Sequence, residues 1–360
     1  MTAAFSWPAV LGALLDRGEL AADTCRAAMA QIVAGEASPA QIAGFAVALR
    51  AKGETAAEVA GLVAAMMDVA VPLPFAGPAL DIVGTGGDQL HSVNISTIAS
   101  IVAAGAGATV IKHGNRAASS SCGSADVLAE LGVRIDLDPD GVSRCIDRAG
   151  IGFCFAPTFH PALRHAGPPR RELGIPTVFN ILGPLANPAR PAASLVGAAD
   201  VRLAPVMAQV FAESGRRAMV VRGSDGLDEV TVSGPTQVWD ATDAALGAQV
   251  RATEVAPGDA GLAESPVADL VGGDAPANAA IARAVLAGET GGTLGAVRAA
   301  VLLNAALALV VWDAAIGADE FGPTGDSAAD RLRRAVPAAA ESIDSGRAAG
   351  VLARWVAACA

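Results

Sequence analysis

The chain has 360 residues, of which 52% are hydrophobic and 17% are charged. This composition excludes an intrinsically disordered protein, because so much apolar surface can offset the entropy lost on folding. The net charge of −11 argues against general nucleic-acid binding, which needs a positive field around the phosphate backbone. An anionic ligand would have to be held by local donors.

The cysteines and the apolar segments predict a cytoplasmic protein without membrane association. The five cysteines are widely spaced and form no Cys-x-x-Cys pair, which fits neither a disulfide framework nor a zinc site. The first 20 residues lack a basic region, so we expect no signal peptide. Residues 299–312 contain Asn304 and fall short of the roughly 20 apolar residues that a membrane span needs. We expect this segment to be a buried helix.

Residues 1–70 are predicted to form an α-helical domain. Ser38 with Gln41, and Thr55 with Glu58, have the spacing of capping boxes, in which two side chains satisfy free backbone N–H groups at a helix start. Apolar residues recur at helical spacing after each box. The region offers few convergent polar groups, so we expect it to be a scaffold or an oligomer interface.

Residues 71–78 are predicted to be a hinge linker, because three prolines there exclude regular helix and central strand. Beyond it, apolar runs precede glycine-rich loops and helical stretches at residues 80–83, 109–111, 152–155, 195–198 and 219–221. This alternation predicts an α/β domain over residues 79–360, with a central, mainly parallel sheet. Ligands of such sheets bind beyond the carboxyl ends of the strands, so we expect the chemistry in the loops that follow them.

The loop after the first predicted strand is rich in glycine, with the sequence GTGGD over residues 84–88. Glycines allow the backbone N–H groups to turn inward and cradle phosphate oxygens without a net basic charge. The polar residues 94–97 precede an apolar run, which places them at a helix N-terminus where anions are favoured. A tight turn between strand and helix explains the glycine loop equally well.

The loop after the second predicted strand combines basic, amide and hydroxyl side chains. Lys112, His113, Asn115 and Arg116 surround Gly114, and serines follow. Such a group of donors suits phosphate or carboxylate, whereas the alternative is a solvated loop.

An acidic turn and an arginine pair complete the candidates. Asp225, Asp228 and Glu229 follow a predicted strand, and a cluster of carboxylates suits Mg²⁺, although a solvated acidic turn is the alternative. Arg170 and Arg171 are predicted to open a short helix behind two prolines, where a guanidinium can bind a carboxylate through two bonds. A surface ion pair with Glu172 competes with that role. The histidines show no spacing of metal ligands or of a catalytic triad.

These motifs in their order resemble the anthranilate phosphoribosyltransferase family, which has a nucleoside-phosphorylase-like fold. The resemblance extends from the helical N-terminus through DIVGTGGD, NIST, KHGNRA, GSADVL, HPALRH, RRELG, FNILGPLANP, DGLDE and VLLNAA. It implies a small α-helical domain, joined by the helical segment around residues 167–185, a larger α/β domain and a ligand cleft between them. It also implies a homodimer through the helical domain and two Mg²⁺ ions per subunit.

The resemblance also implies roles for individual residues. The donor, phosphoribosyl pyrophosphate (PRPP), would contact Gly84, Gly87, Asp88, Ser92, Asn94, Ile95, Ser96, Thr97, Lys112, His113, Gly114, Asn115, Arg116, Ala117, Ala118, Ser119, Ser120 and Ser124. Anthranilate would contact Gly84, Asn115 and Arg170. Mg²⁺ would bind Ser96, Asp228 and Glu229.

The expected reaction transfers the 5-phosphoribosyl group from PRPP to the amine of anthranilate, the second step of tryptophan synthesis from chorismate. No residue is expected to act as a catalytic acid or base, because positioning and electrostatics would carry the reaction. One alternative is an enzyme like pyrimidine-nucleoside phosphorylase, with phosphate as the nucleophile. Another is a catalytically silent relative of the same fold that binds nucleic acid, which the acidic net charge opposes.

Overall fold

Helices form the N-terminal region of the computed structural model, which describes residues 5–117 and 121–360. They are α1 (Trp7–Leu15), α2 (Ala22–Ala34), α3 (Pro39–Lys52) and α4 (Ala56–Asp68). Both predicted capping boxes are present, at the starts of α3 and α4. Glu58 also accepts hydrogen bonds from Lys52 and from the backbone of Leu20, so the second box ties α4 to the preceding chain.

A mixed sheet follows, with seven strands in the described part of the chain and the order β3-β2-β1-β4-β5-β6-β7. The strands are β1 (Leu80–Gly84), β2 (Val110–Gly114), β3 (Ile151–Phe155), β4 (Ala193–Gly197), β5 (Arg217–Gly223), β6 (Thr236–Asp240) and β7 (Arg251–Val255). The first five pair in parallel, which confirms the predicted α/β class with a mainly parallel sheet.

The last two strands, β6 and β7, are antiparallel and were not predicted. Buried side chains alternate with more exposed ones in β6, and half-buried side chains alternate with exposed ones in β7, so neither strand is a continuous apolar run. Alternation of this kind is typical of strands with one face packed on the core.

Helices surround the sheet and connect its parallel strands. They are α5 (Ile95–Gly105), α6 (Ser124–Glu130), α7 (Pro139–Ala149), α8 (Ala156–Phe159), α9 (Gly167–Leu173), α10 (Phe179–Leu185), α11 (Ala204–Glu213), α12 (Ala275–Leu286), α13 (Leu294–Ile316), α14 (Ala328–Asp344) and α15 (Arg347–Ala358). Short 3₁₀ turns occupy Pro161–Ala166, Ala244–Leu246, Pro257–Ala260 and Val267–Leu270.

The buried apolar side chains of the described residues form two clusters, one on each face of the sheet. Ile82 and Leu195 belong to the cluster with α5, α13 and α15, whereas their neighbours Val83 and Val196 belong to the other. Successive side chains of a strand point to opposite faces, so the two clusters are separated by the sheet. The second cluster joins α1–α4 with α10, α11 and β5.

The domain boundaries at residues 70 and 79, and the hinge role of residues 71–78, remain predictions.

Helix α13 lies within the first cluster. It has 23 residues and is long and apolar enough to cross a membrane by length and composition, but 83% of its most apolar window is buried inside the fold. The prediction of a buried helix is confirmed, and the helix extends beyond the predicted segment at both ends. Asn304 on α13 bonds to both the N–H and the carbonyl of Val230, which fixes the chain just after Glu229.

Candidate active site

A cavity of about 370 Å³ lies beyond the carboxyl ends of β1 and β2, on the side where α9 and α10 pack. The predicted ligand-contacting residues within the described ranges all line it. Ala118, Ser119 and Ser120 lie outside the described residues. Open parallel sheets bind ligands at this edge, where the strand order changes direction. Here the chain runs outward from β1 to β3 and then returns to β4 on the other side of β1.

Hydrogen bonds to a carboxylate and to a backbone carbonyl hold the loop after β1. Gly86 and Gly87 have φ angles of 68° and 87°, a left-handed conformation that favours glycine. The Gly86 N–H donates to Asp228 Oδ2 at 2.6 Å, and the Thr85 N–H donates to the carbonyl of Gly197 at 2.9 Å. The glycine loop is therefore tied to the acidic turn as well as to β4.

The acidic turn crosses the last residues of β1 and β4. A Cβ on Gly84 would lie 2.4 Å from Asp228 Oδ2, and a Cβ on Gly197 would lie 1.5 Å from the Asp228 carbonyl oxygen. Only glycine permits such an approach at these two strand ends. The third predicted acid, Asp225, turns away, because it accepts hydrogen bonds from Thr231 and Ser233. Of the three acids that were predicted in this turn, only Asp228 and Glu229 line the cavity.

Asp228 and Glu229 form a buried pair of like charges. Each residue is 8% exposed. Burial raises the pKa of Asp228 well above its usual range, and the carboxylates of Asp88 and Glu229 raise it further. Burial raises the pKa of Glu229 from 4.5 to about 7, although the Lys112 ammonium and a hydrogen bond from the Ser96 N–H oppose that rise.

This electrostatic arrangement favours a bound cation, since a positive charge would relieve both burial and repulsion. The oxygen donors fit a hard divalent cation. Among residues 5–117 and 121–360 no three His, Cys, Asp or Glu side chains form a metal-binding group. Asp228 and Glu229 would supply two carboxylates, a number typical of Mg²⁺ sites that complete their shell with water and substrate oxygens.

Lys112 is buried and faces protein atoms. Its Nζ donates to the carbonyl of Ile82 and to Ser96 Oγ. Burial lowers its pKa, whereas the carboxylates of Asp81, Glu229 and Asp228 raise it. Its positive charge therefore lies behind the acidic pair and partly balances it.

His113 points to the opposite side of β2 and is neutral. Its Nδ1 lies 2.9 Å from the carbonyl of Gly183, so this nitrogen carries the proton. Burial, followed by the neighbouring His160, lowers the pKa of His113 to about 3. Its Nε2 is buried and has no hydrogen-bond partner in the described part of the chain, so it presents an acceptor inside the fold beside the cavity.

The loop after β2 folds around Asp126, a residue to which the sequence analysis assigned no role. Asp126 accepts hydrogen bonds from the backbones of Ala117 and Gly123 and pairs with Arg116 at 2.7 Å. The first turn of α6 therefore fixes both ends of the described loop. The Asn115 carbonyl oxygen accepts from Ser124 Oγ at 3.3 Å.

The polar start of α5 also lines the cavity, as predicted. Asn94 is the N-cap residue, but its side chain makes no capping bond. Instead it donates to the carbonyl of Cys122 and accepts from Asn278. The Ser96 N–H donates to Glu229 Oε1 at 3.1 Å, so the helix start already holds one carboxylate of the protein.

Arg170 reaches the cavity from α9. The prediction that the arginines open this helix was wrong: prolines occupy its first turn, and Arg170 and Arg171 lie in its last turn. The guanidinium of Arg170 lies 5.5 Å from the centre of the Phe179 ring. Burial is the cause that lowers its pKa, without a contribution from any carboxylate of the described residues. The competing ion pair with Glu172 is therefore absent from that part of the chain.

The sequence matches two family models that together span most of its length. Residues 8–70 match the helical bundle domain of the glycosyl transferase family, and residues 76–349 match its a/b domain. The anthranilate phosphoribosyltransferase of Salinispora arenicola is 54% identical over 355 residues, covering 98% of this chain and 96% of the relative.

Solved structures agree with these matches. The anthranilate phosphoribosyltransferase of Thermus thermophilus is 39% identical, with a TM-score of 0.86, and the alignment covers 97% of this chain and 99% of that one. The enzyme of Saccharomyces cerevisiae in complex with PRPP and Mg is 27% identical, with a TM-score of 0.84, over 98% of this chain and 97% of that one. The chain is therefore a glycosyl transferase and belongs to the anthranilate phosphoribosyltransferase family.

Proposed function

We propose that this enzyme transfers the 5-phosphoribosyl group of PRPP to the amine of anthranilate. The products are N-(5-phosphoribosyl)anthranilate and pyrophosphate, and the reaction is the second step of tryptophan synthesis from chorismate. The observation that carries this proposal is one cavity that joins a glycine loop, a buried acidic pair and an arginine without a carboxylate partner among the described residues.

The donor is assigned to the carboxyl ends of β1 and β2 and to the start of α5. The described residues of this set are Gly84, Gly87, Asp88, Ser92, residues 94–97, residues 112–117 and Ser124. The left-handed glycines turn backbone N–H groups toward the cavity without adding positive charge. The role of residues 118–120 toward the donor stays a prediction.

Mg²⁺ is assigned to Asp228, Glu229 and the Ser96 hydroxyl, with two ions per subunit as in the sequence prediction. The buried like charges of the carboxylates and their oxygen-only donor set fit this ion. When bound, Mg²⁺ supplies positive charge to the pyrophosphate leaving group. Lys112 supplies further positive charge from behind the acidic pair.

Anthranilate is assigned to the side of the cavity formed by Arg170, Asn115 and Gly84. A guanidinium binds a carboxylate through two parallel hydrogen bonds, and the partly buried Arg170 carries no competing acid among the described residues. Its contact with the Phe179 ring restricts the guanidinium to the cavity side. Asn115 and Gly84 lie at the ends of the strands that also carry the donor loops.

The proposed reaction breaks the bond between C1 and the pyrophosphate oxygen and forms a bond between C1 and the amine nitrogen. The arylamine has a free electron pair at neutral pH, so no base is needed before the attack, and the proton leaves after the new bond has formed. The protein holds both substrates in line and excludes water from C1. Movement of the helical domain about residues 71–78 is our proposal for how that exclusion is achieved.

The decisive experiment follows the loss of anthranilate fluorescence after addition of PRPP. We expect a decay that requires Mg²⁺, stops with EDTA and releases one pyrophosphate per anthranilate consumed. A folded enzyme that leaves anthranilate unchanged but cleaves nucleosides with phosphate would contradict the proposal in favour of a phosphorylase. A salt-dependent gel shift with nucleic acid and no turnover would favour the silent relative.

We further propose that the enzyme is a cytoplasmic homodimer that associates through its helical domain. An apolar groove between α2 and α4 contains Ala27, Ala30 and Val33, and the nearby Val69 is 45% exposed. Light scattering coupled to size exclusion tests the dimer: a monomer mass at micromolar concentration would contradict it.

A further inference from the structure

The ladder between β1 and β2 stops after its first pair. These strands pair in register only at Leu80 and Val110. By contrast, β1 pairs with β4 along its full length, and β2 does so with β3. The interruption is therefore specific to the gap between β1 and β2, whose carboxyl ends open into the cavity.

Side chains occupy the positions that ladder bonds would take. In a parallel ladder continued from Leu80, the His113 N–H would donate to the Ile82 carbonyl, and the Ile82 N–H would donate to the Ile111 carbonyl. Instead, the His113 N–H donates to Asp81 Oδ1 at 3.3 Å. The Ile82 carbonyl accepts from Lys112 Nζ, and the Ile111 carbonyl accepts from Asn187 Nδ2 at 2.8 Å.

Asp81, Lys112 and Asn187, here called the inter-strand cluster, supply these bonds from the two strands and from the chain after α10. Asn187 Nδ2 donates to Asp81 Oδ2 at 2.9 Å, and the charges of Asp81 and Lys112 stabilise each other. The three residues are 0%, 1% and 1% exposed. Burial raises the pKa of Asp81 to about 6, and Lys112, Asn187 and the N–H groups of His113 and Ile82 oppose that rise.

Filling the gap between two strands with buried charged side chains carries a desolvation penalty. Buried ionised groups lose their hydration, and a direct ladder between two apolar strands carries no such desolvation penalty. The position of the cluster between β1 and β2 suggests a role in spacing the two donor loops. β1 leads into the glycine loop at Gly84, and β2 leads into the second donor loop at Gly114, so a gap between the strands sets the spacing of the two loops.

The cluster also holds a charge at the ligand side. Lys112 Nζ lies within reach of both the Ile82 carbonyl in the gap and Ser96 Oγ at the cavity, the latter at 3.3 Å. The carboxylates of Asp81, Glu229 and Asp228 all attract the Lys112 charge, and the effect of Asp81 is the largest of the three. Loss of Asp81 would therefore remove the main counter-charge of Lys112.

We propose that Asp81 and Asn187 are positioning residues for the phosphoribosyl donor, because they take the place of ladder bonds between β1 and β2 and Asp81 supplies a counter-charge for the buried Lys112. This inference rests on the proposed function and adds to it two residues that lie outside the cavity lining. Most of the assigned donor contacts lie on the two loops that follow β1 and β2. The acceptor shares only Gly84 and Asn115 with these strand ends and takes its carboxylate contact from Arg170 on α9, so we expect the donor to be affected more than the acceptor.

The test compares Asp81→Asn with Asp240→Asn. The first substitution keeps an acceptor for the His113 N–H but removes the charge. Asp240 is a matched control, because it is also a buried carboxylate in a strand, at 2% exposure, and pairs with Arg331 away from the cavity. We expect Asp81→Asn to raise KM for PRPP at least tenfold and to change KM for anthranilate less than twofold. Asp240→Asn should lower Tm and leave both KM values unchanged.

A second variant and a binding measurement complete the test. Asn187→Ala removes the donors to Asp81 and Ile111, and it should raise KM for PRPP in the same selective way. Calorimetric titration with PRPP and Mg²⁺ should show the same weakening without turnover. A lowered Tm with unchanged PRPP affinity in both variants would overturn the inference. A wild-type enzyme that neither binds PRPP nor consumes anthranilate would instead overturn the proposed function, and the inference with it.

Discussion

Asp240 and the pair Asp228 and Glu229 are buried carboxylates in the same sheet domain, yet their surroundings differ. Asp240 lies 3.4 Å from guanidinium nitrogens of both Arg331 and Arg251 and accepts two bonds from Thr242. Asp228 and Glu229 make no ion pair of that kind in the described part of the chain, and their pKa values are raised by burial and by neighbouring acids.

The difference separates a structural charge from a functional one. A buried carboxylate whose partners come from the chain itself is complete after folding. A buried pair of like charges remains unfavourable until an external cation or proton neutralises it, and such groups concentrate at functional sites. The antiparallel edge of the sheet carries the first kind, and the parallel strand ends carry the second.

The largest effects are expected from substitutions that remove the charge of each site and keep its shape. We expect the double substitution Asp228→Asn and Glu229→Gln to reduce turnover on the order of a thousandfold, because several kcal/mol of charge stabilisation are lost. The free energy of unfolding should stay the same or rise, since the amides still accept from Gly86 and Ser96 and no longer repel. Steady-state kinetics and denaturant unfolding measure the two effects.

The matched control is again Asp240→Asn. We expect this substitution to lower stability and to leave turnover nearly unchanged. It leaves Arg331 uncompensated, and breaking a buried pair in this way costs about 3–5 kcal/mol. Turnover should remain within twofold of the wild type. If the double variant lost stability and kept its Mg²⁺ titration curve unchanged, the assignment of the ion to Asp228 and Glu229 would be wrong.

A smaller effect is expected from Arg170, which lies at the positive side of the cavity. Arg170→Ala should raise KM for anthranilate about 10- to 100-fold and leave KM for PRPP unchanged, since hydrogen bonds to a charged group contribute about 1.5–3 kcal/mol. Arg171→Ala is the matched control, because Arg171 is exposed on the same helix turn. Equal increases in both KM values for Arg170→Ala would remove the carboxylate-binding role.

The smallest effect concerns the pH dependence of stability in the absence of ligands. Glu229 has a folded-state pKa raised from 4.5 to about 7, so the folded state holds its proton more tightly than the unfolded chain does. The contribution of protonated Glu229 to the stability of the folded state is fully present below pH 4.5 and is lost as the pH rises through about 7. Glu229→Gln should flatten the fall in unfolding free energy across this window. Denaturant unfolding of both proteins at several pH values measures it, and parallel curves would contradict the prediction.

The sequence predicted the parts of the site that local motifs encode. The glycine loop, the KHGNRA loop and the DGLDE turn each follow a strand, so the rule that parallel strands end at one edge brought them together. Both capping boxes formed because their partners are three residues apart. The five parallel strands appeared as apolar runs, because both faces of these strands are covered.

The rest depends on contacts between distant residues. In β7 half-buried and exposed positions alternate before the buried Val255, without an apolar run, so its short sequence carried no strand signal. The diversion of Asp225 to Thr231 and Ser233 follows from a turn geometry that the cluster of acids does not reveal. Asp81 meets Asn187 across 106 residues. The sequence signal for this contact was Asp81 itself, a single acid inside the apolar run of β1. Its partner Asn187 becomes visible only in the folded structure.

A crystal structure of this enzyme with PRPP and with Mn²⁺ in place of Mg²⁺ would show, by the anomalous signal of the metal, whether the buried acidic pair binds the cation. We expect an ion in direct coordination with carboxylate oxygens of Asp228 or Glu229 and with oxygens of PRPP. No ion should lie at Asp240. Ordered PRPP with its metal bound away from both acids would contradict the claim that the buried pair is held for a cation.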